Sequence, residues 1–205
     1  PIPPELGNLK SLQYLDLGNN FLNGSLPDSI FNCTSLLGIA LNFNNLTDRI
    51  PSNFGNPVNL IQIAGFGNTL VGSRPLSIGQ LGTLGALDFS QNKLSGFIPQ
   101  EIGNLTNSEY LEFSQNSFSG KIHFELGKCS KIFSLQLSDN KLIGSIPPEL
   151  GNLVPLGTLK LHQNNLNSTI PSSIFQLKSL TNLGLAQNNL EGTISSEIGS
   201  MNSLQ

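Results

Sequence analysis

The chain has 205 residues, 38% hydrophobic and only 11% charged, with a formal net charge of -3 and a pI near 5.3. That balance speaks against a nucleic-acid surface, and no apolar run approaches the roughly 18 residues of a membrane span. The opening residues do not read as a charged-then-apolar signal; Asn, Ser and Gly supply the polarity that charged residues usually supply.

From the start of the chain one frame recurs, L-x-L-x-x-N-x-L. Its asparagines are Asn20, Asn44, Asn68, Asn92, Asn116, Asn140, Asn164 and Asn188, each 24 residues after the last, with no insertion or deletion. Alternating apolar positions such as Leu159 and Leu161 predict a short half-buried strand in every unit. The asparagine follows where the chain leaves that strand. Its amide both donates and accepts, so stacked copies predict a ladder that satisfies inward-turned backbone groups. A convex column of Leu6, Ile30, Phe54, Ile78, Ile102, Leu126, Leu150, Ile174 and Ile198 closes the core from the other side. One such unit cannot bury its apolar face alone, whereas neighbours stacked about 4.8 Å apart can. The period predicts an α/β leucine-rich repeat solenoid with a parallel concave sheet and a 3-10 or irregular convex side.

Residues 1–205 read as a single solenoid of about eight repeats, without linker or second domain. The chain starts and stops inside a repeat, without polar caps, which predicts an interior fragment of a longer protein. The third unit is the least regular: Gly65 replaces a core leucine, Pro57 interrupts the convex segment, and Arg74 stands where other units have Ile. Ser108 and His123 are smaller departures. The expectation is a drifting repeat held in place by its neighbours. Gly24, Gly72, Gly96, Gly120, Gly144 and Gly192 share one column, which Asp48 and Ser168 occupy less comfortably.

After the asparagine most units continue L-x-G-x-[IL]-P, as in Leu142-Ile143-Gly144-Ser145-Ile146-Pro147, and then a segment such as Glu149-Leu150-Gly151-Asn152-Leu153. This wording resembles the plant-specific class of leucine-rich repeats over the whole chain, and residues 146–199 are similar, more narrowly, to the flagellin-sensing receptor kinase family. The resemblance implies a second strand at the G-x-I-P piece and the extracellular part of a plant receptor-like Ser/Thr kinase in pathogen-pattern perception. Its partners would be an extended peptide on the concave face and a co-receptor kinase with a repeat ectodomain, with no nucleic acid and no membrane contact by this segment. The same repeats build soluble inhibitors of secreted pathogen enzymes such as a polygalacturonase, which leaves a secreted cell-wall protein as the alternative. A steroid-type receptor would need an inserted island, which the unbroken 24-residue register lacks.

Nothing in the chain reads as catalytic. Cys33 and Cys129 share a column otherwise filled by leucine, four repeats apart, hence roughly 19 Å by strand spacing. That is too far for a disulfide, so both are expected to be buried small hydrophobes. His123 and His162 are isolated and make neither a metal site nor a triad, and Gly65-Phe66-Gly67 lacks the context of a phosphate loop. No metal or cofactor is expected.

Binding is expected on the concave strand columns, where side chains flanking the strand leucines face solvent. The candidates are Tyr14, Asp16, Asp88, Tyr110, Glu112, Gln136, Ser138, Lys160, His162 and Asn182. Lys160 and His162, taken as lying on one strand with Asn182 on the next, would hold a carboxylate; Asp88 and Glu112 would hold a basic side chain. Five N-x-[ST] sequons, at Asn23, Asn32, Asn45, Asn104 and Asn167, lie outside those columns and fit a glycosylated, extracellular chain.

Overall fold

The computed structural model describes residues 1–73 and 75–205; Arg74 lies outside the described residues. Eight three-residue strands form one parallel sheet in strict sequence order: Tyr14–Asp16, Gly38–Ala40, Gln62–Ala64, Ala86–Asp88, Tyr110–Glu112, Ser134–Gln136, Thr158–Lys160 and Asn182–Gly184. Each residue pairs with the one 24 positions on, as Leu135 pairs with Leu111 and Leu159. The strands are short because the ladder asparagine turns the chain five residues after the first strand leucine.

The amide bonds run between repeats. Asn116 Oδ1 accepts from the Leu94 N–H at 2.9 Å, while its Nδ2 donates to Phe89 O at 2.9 Å, both in the repeat before. It also donates to Phe113 O in its own repeat at 3.2 Å. The same set recurs from Asn44 to Asn188. Asn20, with no strand before it in this chain, bonds only Leu17 O and Gly18 O. The residue preceding each asparagine takes a left-handed turn, at Asn19, Phe43, Gln91, Gln115, Asp139, Gln163 and Gln187 as well as Gly67.

The convex side is made of five-residue 3-10 helices, for example Gln100–Asn104 and Pro148–Asn152, with no α-helix among the described residues. A proline, or His123 with the same extended backbone, precedes each from Asp28–Asn32 to Ser172–Gln176. A second row of short strands flanks the main sheet. Val71–Gly72, Lys93–Phe97, Ser117–Gly120, Lys141–Gly144, Asn165–Ser168 and Asn189–Leu190 form one sheet, and Asn23–Ser25 with Asn45–Thr47 form another. Leucine, isoleucine and phenylalanine columns fill the space between into one core.

The third repeat is compensated rather than loose. A Cβ at Gly65 would run into the Phe89 ring, so Phe89 occupies the volume that a leucine would fill. Phe89 and Phe31 flank Phe54 at centroid distances of 5.7 and 5.1 Å. Pro57 has no N–H to give Phe54 O, and among the described residues no 3-10 helix forms between Asp28–Asn32 and Leu76–Gln80. Asp48 and Ser168 take the glycine backbone, with φ of 64° and 68°. Ser108 is buried, its hydroxyl donating to Leu84 O at 2.7 Å. Cys33 and Cys129 are buried and unpaired. Their thiols point at Leu6 O and Ile102 O of the preceding repeats, and burial pushes the Cys129 pKa up to about 11.

Candidate ligand-reading face

The exposed face of the main sheet carries the candidate side chains, and its chemistry changes along the solenoid. The first repeats are apolar. Tyr14 lies over Gly38, and Phe66 packs edge-on against half-exposed Phe43 at 4.9 Å. Asp16 is exposed and caps the Gly18 N–H at 3.0 Å. Tyr110 is exposed and leans on Phe133 at 6.0 Å.

Asp88 and Glu112 are cross-strand partners. Asp88 Oδ1 accepts from the Ser90 N–H and hydroxyl at 2.8 and 2.7 Å. Glu112 Oε1 accepts from Ser134 Oγ at 2.8 Å and Gln136 Nε2 at 2.9 Å. Burial pushes both carboxyls above their ordinary range, and the charge of Asp88 adds to the shift of Glu112. Hydrogen bonds oppose it, as does the Lys160 charge on Glu112. Neither carboxylate has an ion-pair partner within 4 Å among the described residues.

Glu112, Gln136, Lys160 and His162 line a shallow cavity of about 230 Å³ together with Asp139, Ser138, Ser90, Gln91, Ser114 and Gln115. His162 Nε2 stands 3.6 Å from Asp139 Oδ2, an ion pair when the imidazole is protonated. Five of the ten expected contacts therefore meet at one place, while Tyr14, Asp16, Asp88, Tyr110 and Asn182 lie outside it.

Three placements differ from expectation. The strand ends at Lys160, so His162 sits beyond it at the turn. Asn182 stands on the next strand opposite Thr158, diagonal to Lys160, which pairs with Gly184, and it does not line the cavity. The absent side chain of Gly184 leaves room for the His162 ring, whose Nδ1 would be 2.9 Å from a Cβ there. Ser138 is only 3% exposed, with its hydroxyl donating to Ser114 Oγ at 3.0 Å. Asp139 was missed. It stands in the turn column, and only its left-handed backbone brings its carboxylate beside His162.

The five sequon asparagines are all exposed. Asn23, Asn45 and Asn167 lie on second-row strands, and Asn32 and Asn104 end 3-10 helices. No helix among the described residues is long and apolar enough to cross a membrane, and none of their His, Cys, Asp and Glu groups is placed to hold a metal.

The leucine-rich repeat family matches at residues 11–33, 83–105, 131–153 and 179–201. No curated protein sequence matches the chain. Among solved structures, the plant peptide hormone receptor RGFR1 in complex with RGF2 is 38% identical, with a TM-score of 0.93 over 94% of this chain and 31% of that one. The Arabidopsis thaliana membrane receptor kinase GASSHO1/SCHENGEN3, in complex with CASPARIAN STRIP INTEGRITY FACTOR 2, is 36% identical, with a TM-score of 0.97 over 100% and 24%. The Arabidopsis receptor kinase HAESA, in complex with the peptide hormone IDA and the co-receptor SERK1, is 38% identical, with a TM-score of 0.85 over 92% and 32%. The chain spans a quarter to a third of the length of these relatives. It is a leucine-rich repeat solenoid, similar in sequence and fold to the ectodomains of plant peptide receptors.

Proposed function

We propose that the chain is the ligand-reading part of the extracellular region of a plant receptor-like Ser/Thr kinase. An extended peptide lies along the exposed face of the main sheet, and a second repeat-bearing receptor kinase joins the complex. The biological class is pathogen-pattern perception, with a flagellin-derived peptide as ligand; the narrower sequence resemblance supports that choice. Kinase chemistry belongs to a cytoplasmic domain of the parent protein, outside this chain.

The observation that carries the reading is the cavity at Glu112, Gln136, Lys160 and His162. Groups of both signs converge there on a pre-formed open surface, in a fold whose similar structures hold peptides. Lys160 and His162 suit a carboxylate of the ligand, and Asp88 with Glu112 suits a basic side chain. An extended peptide crossing successive strands meets these groups in order.

The test is titration with a synthetic peptide from the N-terminal region of bacterial flagellin. Wild type is compared with Lys160→Ala/His162→Ala and Asp88→Ala/Glu112→Ala. Each lost contact costs about 1 kcal/mol, so each double variant, losing about 2 kcal/mol, weakens binding roughly thirtyfold, with the urea midpoint nearly unchanged. Wild-type affinity in both double variants would move the reading surface to the turns around Asn19, Gln91, Gln115 and Gln163. No binding by any form would remove the flagellin assignment.

A further inference from the structure

Two columns of the exposed face turn aromatic at a single place. The column that reads Ser90, Ser114 and Ser138 in later repeats carries Phe66, and the turn column that reads Gln91, Gln115 and Gln163 carries Phe43. Their rings meet edge-on at 4.9 Å. Phe66 O accepts from the Phe43 N–H at 2.9 Å, and the Phe43 ring lies against Gly67, where a Cβ would be 2.7 Å from its Cδ1. The pair is thus fixed by its neighbours, yet Phe43 stays 47% exposed. Beside it the strand positions are small, Gly38, Ala40 and Ala64, and exposed Tyr14 stands on the far side over Gly38. Columns four residues apart on a strand stand about 13 Å apart, so these walls leave a trough for one large apolar side chain. Apolar residues exposed singly are ordinary; a fixed cluster of them marks a binding surface.

The trough runs straight into the acidic middle of the face. Ala40 pairs with Ala64, Ala64 with Asp88, and Asp88 with Glu112 on successive strands. Ser90, which bonds Asp88, lines the cavity that also holds Lys160 and His162. A peptide crossing the sheet above the acidic pair therefore has its adjoining segment over the trough. From the midpoint of Ala40 and Ala64 to that of Asp88 and Glu112 is two strand spacings, about 9.6 Å. A peptide in the polyproline II conformation turns side chains to the same side every three residues, about 9.3 Å apart. A β-strand repeats every second residue, at about 6.6 or 13 Å, and misses that distance.

We infer that this trough is a specificity pocket for an aromatic or large aliphatic side chain of the peptide ligand, three residues from the basic residue held by Asp88 and Glu112. The inference rests on the exposed face reading a peptide, as proposed above, and names what that peptide must carry. The ligand lies in a polyproline II-like conformation, whose stiff backbone has little freedom to lose on binding. An apolar anchor in a preformed pocket then carries a large share of the affinity.

The experiment is selection of a phage-displayed library of random peptides on the immobilised intact chain, followed by titration with the selected peptides in synthetic form. Selected sequences are expected to share a Phe, Tyr, Trp or Leu three residues from an Arg or Lys. Replacing that apolar residue by Ala should weaken binding to the wild type about tenfold, and binding to Phe43→Gln/Phe66→Ser less than about twofold. Both substitutions install the residues that Gln91 and Ser90 supply in the next repeat, and the melting temperature checks that the variant folds. Tyr14→Asn removes the opposite wall independently and should cut the tenfold ratio to about threefold. Selected peptides with a basic residue but no apolar one at that distance would leave the trough to a partner protein and overturn the inference, as would a tenfold loss in wild type and variants alike; peptide reading would stand. Selection of no peptide whose binding weakens in Asp88→Asn/Glu112→Gln would overturn both, so the two failures are distinct.

Discussion

The repeat around Asn68 and the repeat around Asn140 solve one problem with different parts. The second is regular: Leu137 fills its core, and a 3-10 helix, Phe124–Lys128, covers its convex side. The first has Gly65 in the core position, Pro57 where Cys129 stands, and no 3-10 helix. Yet the amides are indistinguishable. Asn68 accepts from Leu46 N at 3.0 Å and donates to Leu41 O at 3.0 Å; Asn140 accepts from Phe118 N at 2.9 Å and donates to Phe113 O at 3.0 Å. The asparagine ladder and the strand registry hold the solenoid, and the core volume and convex turn are free to vary if a neighbour compensates.

The compensation is the first thing to break. Phe89→Ala should cost about 3–5 kcal/mol, because it empties its own site and the hollow at Gly65 together. Gly65→Leu alone should cost about 1–3 kcal/mol by overpacking against Phe89. The double change Gly65→Leu/Phe89→Leu restores the arrangement seen at Leu137 and Leu161, and should recover most of the loss, with a coupling above about 1 kcal/mol. Urea melts of the four proteins measure this; strictly additive losses would mean that Phe89 does not fill the hollow.

The ladder gives the next largest effect. Asn68→Ala and Asn140→Ala should each cost about 1–3 kcal/mol by leaving backbone groups of two repeats unpaired. Their urea midpoints should fall equally. A markedly smaller loss at Asn68 would show that the irregular repeat relies less on its ladder than the regular one.

The smallest effect separates the acidic middle of the face from the rest. Asp88 and Glu112 have raised pKa values, so their stabilising contribution is complete below the ordinary values of 3.8 and 4.5 and is lost as pH rises through the raised values. Asp88→Asn keeps an acceptor for Ser90 and removes the repulsion of Glu112. It should stabilise the chain by about 0.5 kcal/mol at pH 7 and by nothing well below pH 3.8. A gain that persists in acid would assign the effect to packing.

Most of the fold was legible because a 24-residue repeat turns one correct unit into eight. The asparagines, the strand leucines and the buried cysteine column follow from spacing alone. Two things did not. The left-handed turn before each asparagine carries mostly Gln, Asn, Asp and Phe, without the glycine signal that usually marks such a backbone, and with it Asp139 was lost from the site. The second row pairs with a 22-residue offset, Asn23 with Asn45 and Arg49 with Val71. Columns read at 24 therefore put the wrong neighbours together on the flank. Asn182 stands on the strand next to Lys160 as its column implied, diagonal to it and opposite Thr158.

The ladder also bears on how such a chain changes length over generations. Every side-chain bond of a ladder asparagine reaches residues 27, 22, 3 or 2 positions earlier. Excising or duplicating any block of 24 residues hands these offsets to the next asparagine unchanged, wherever the cut falls within the unit. Unequal exchange between gene copies thus yields ordered proteins of different lengths without a compensating mutation, whereas an insertion of any other size within a unit breaks amide bonds in two repeats at once. Whole repeats are the heritable unit, and the displayed face can be shuffled one strand at a time.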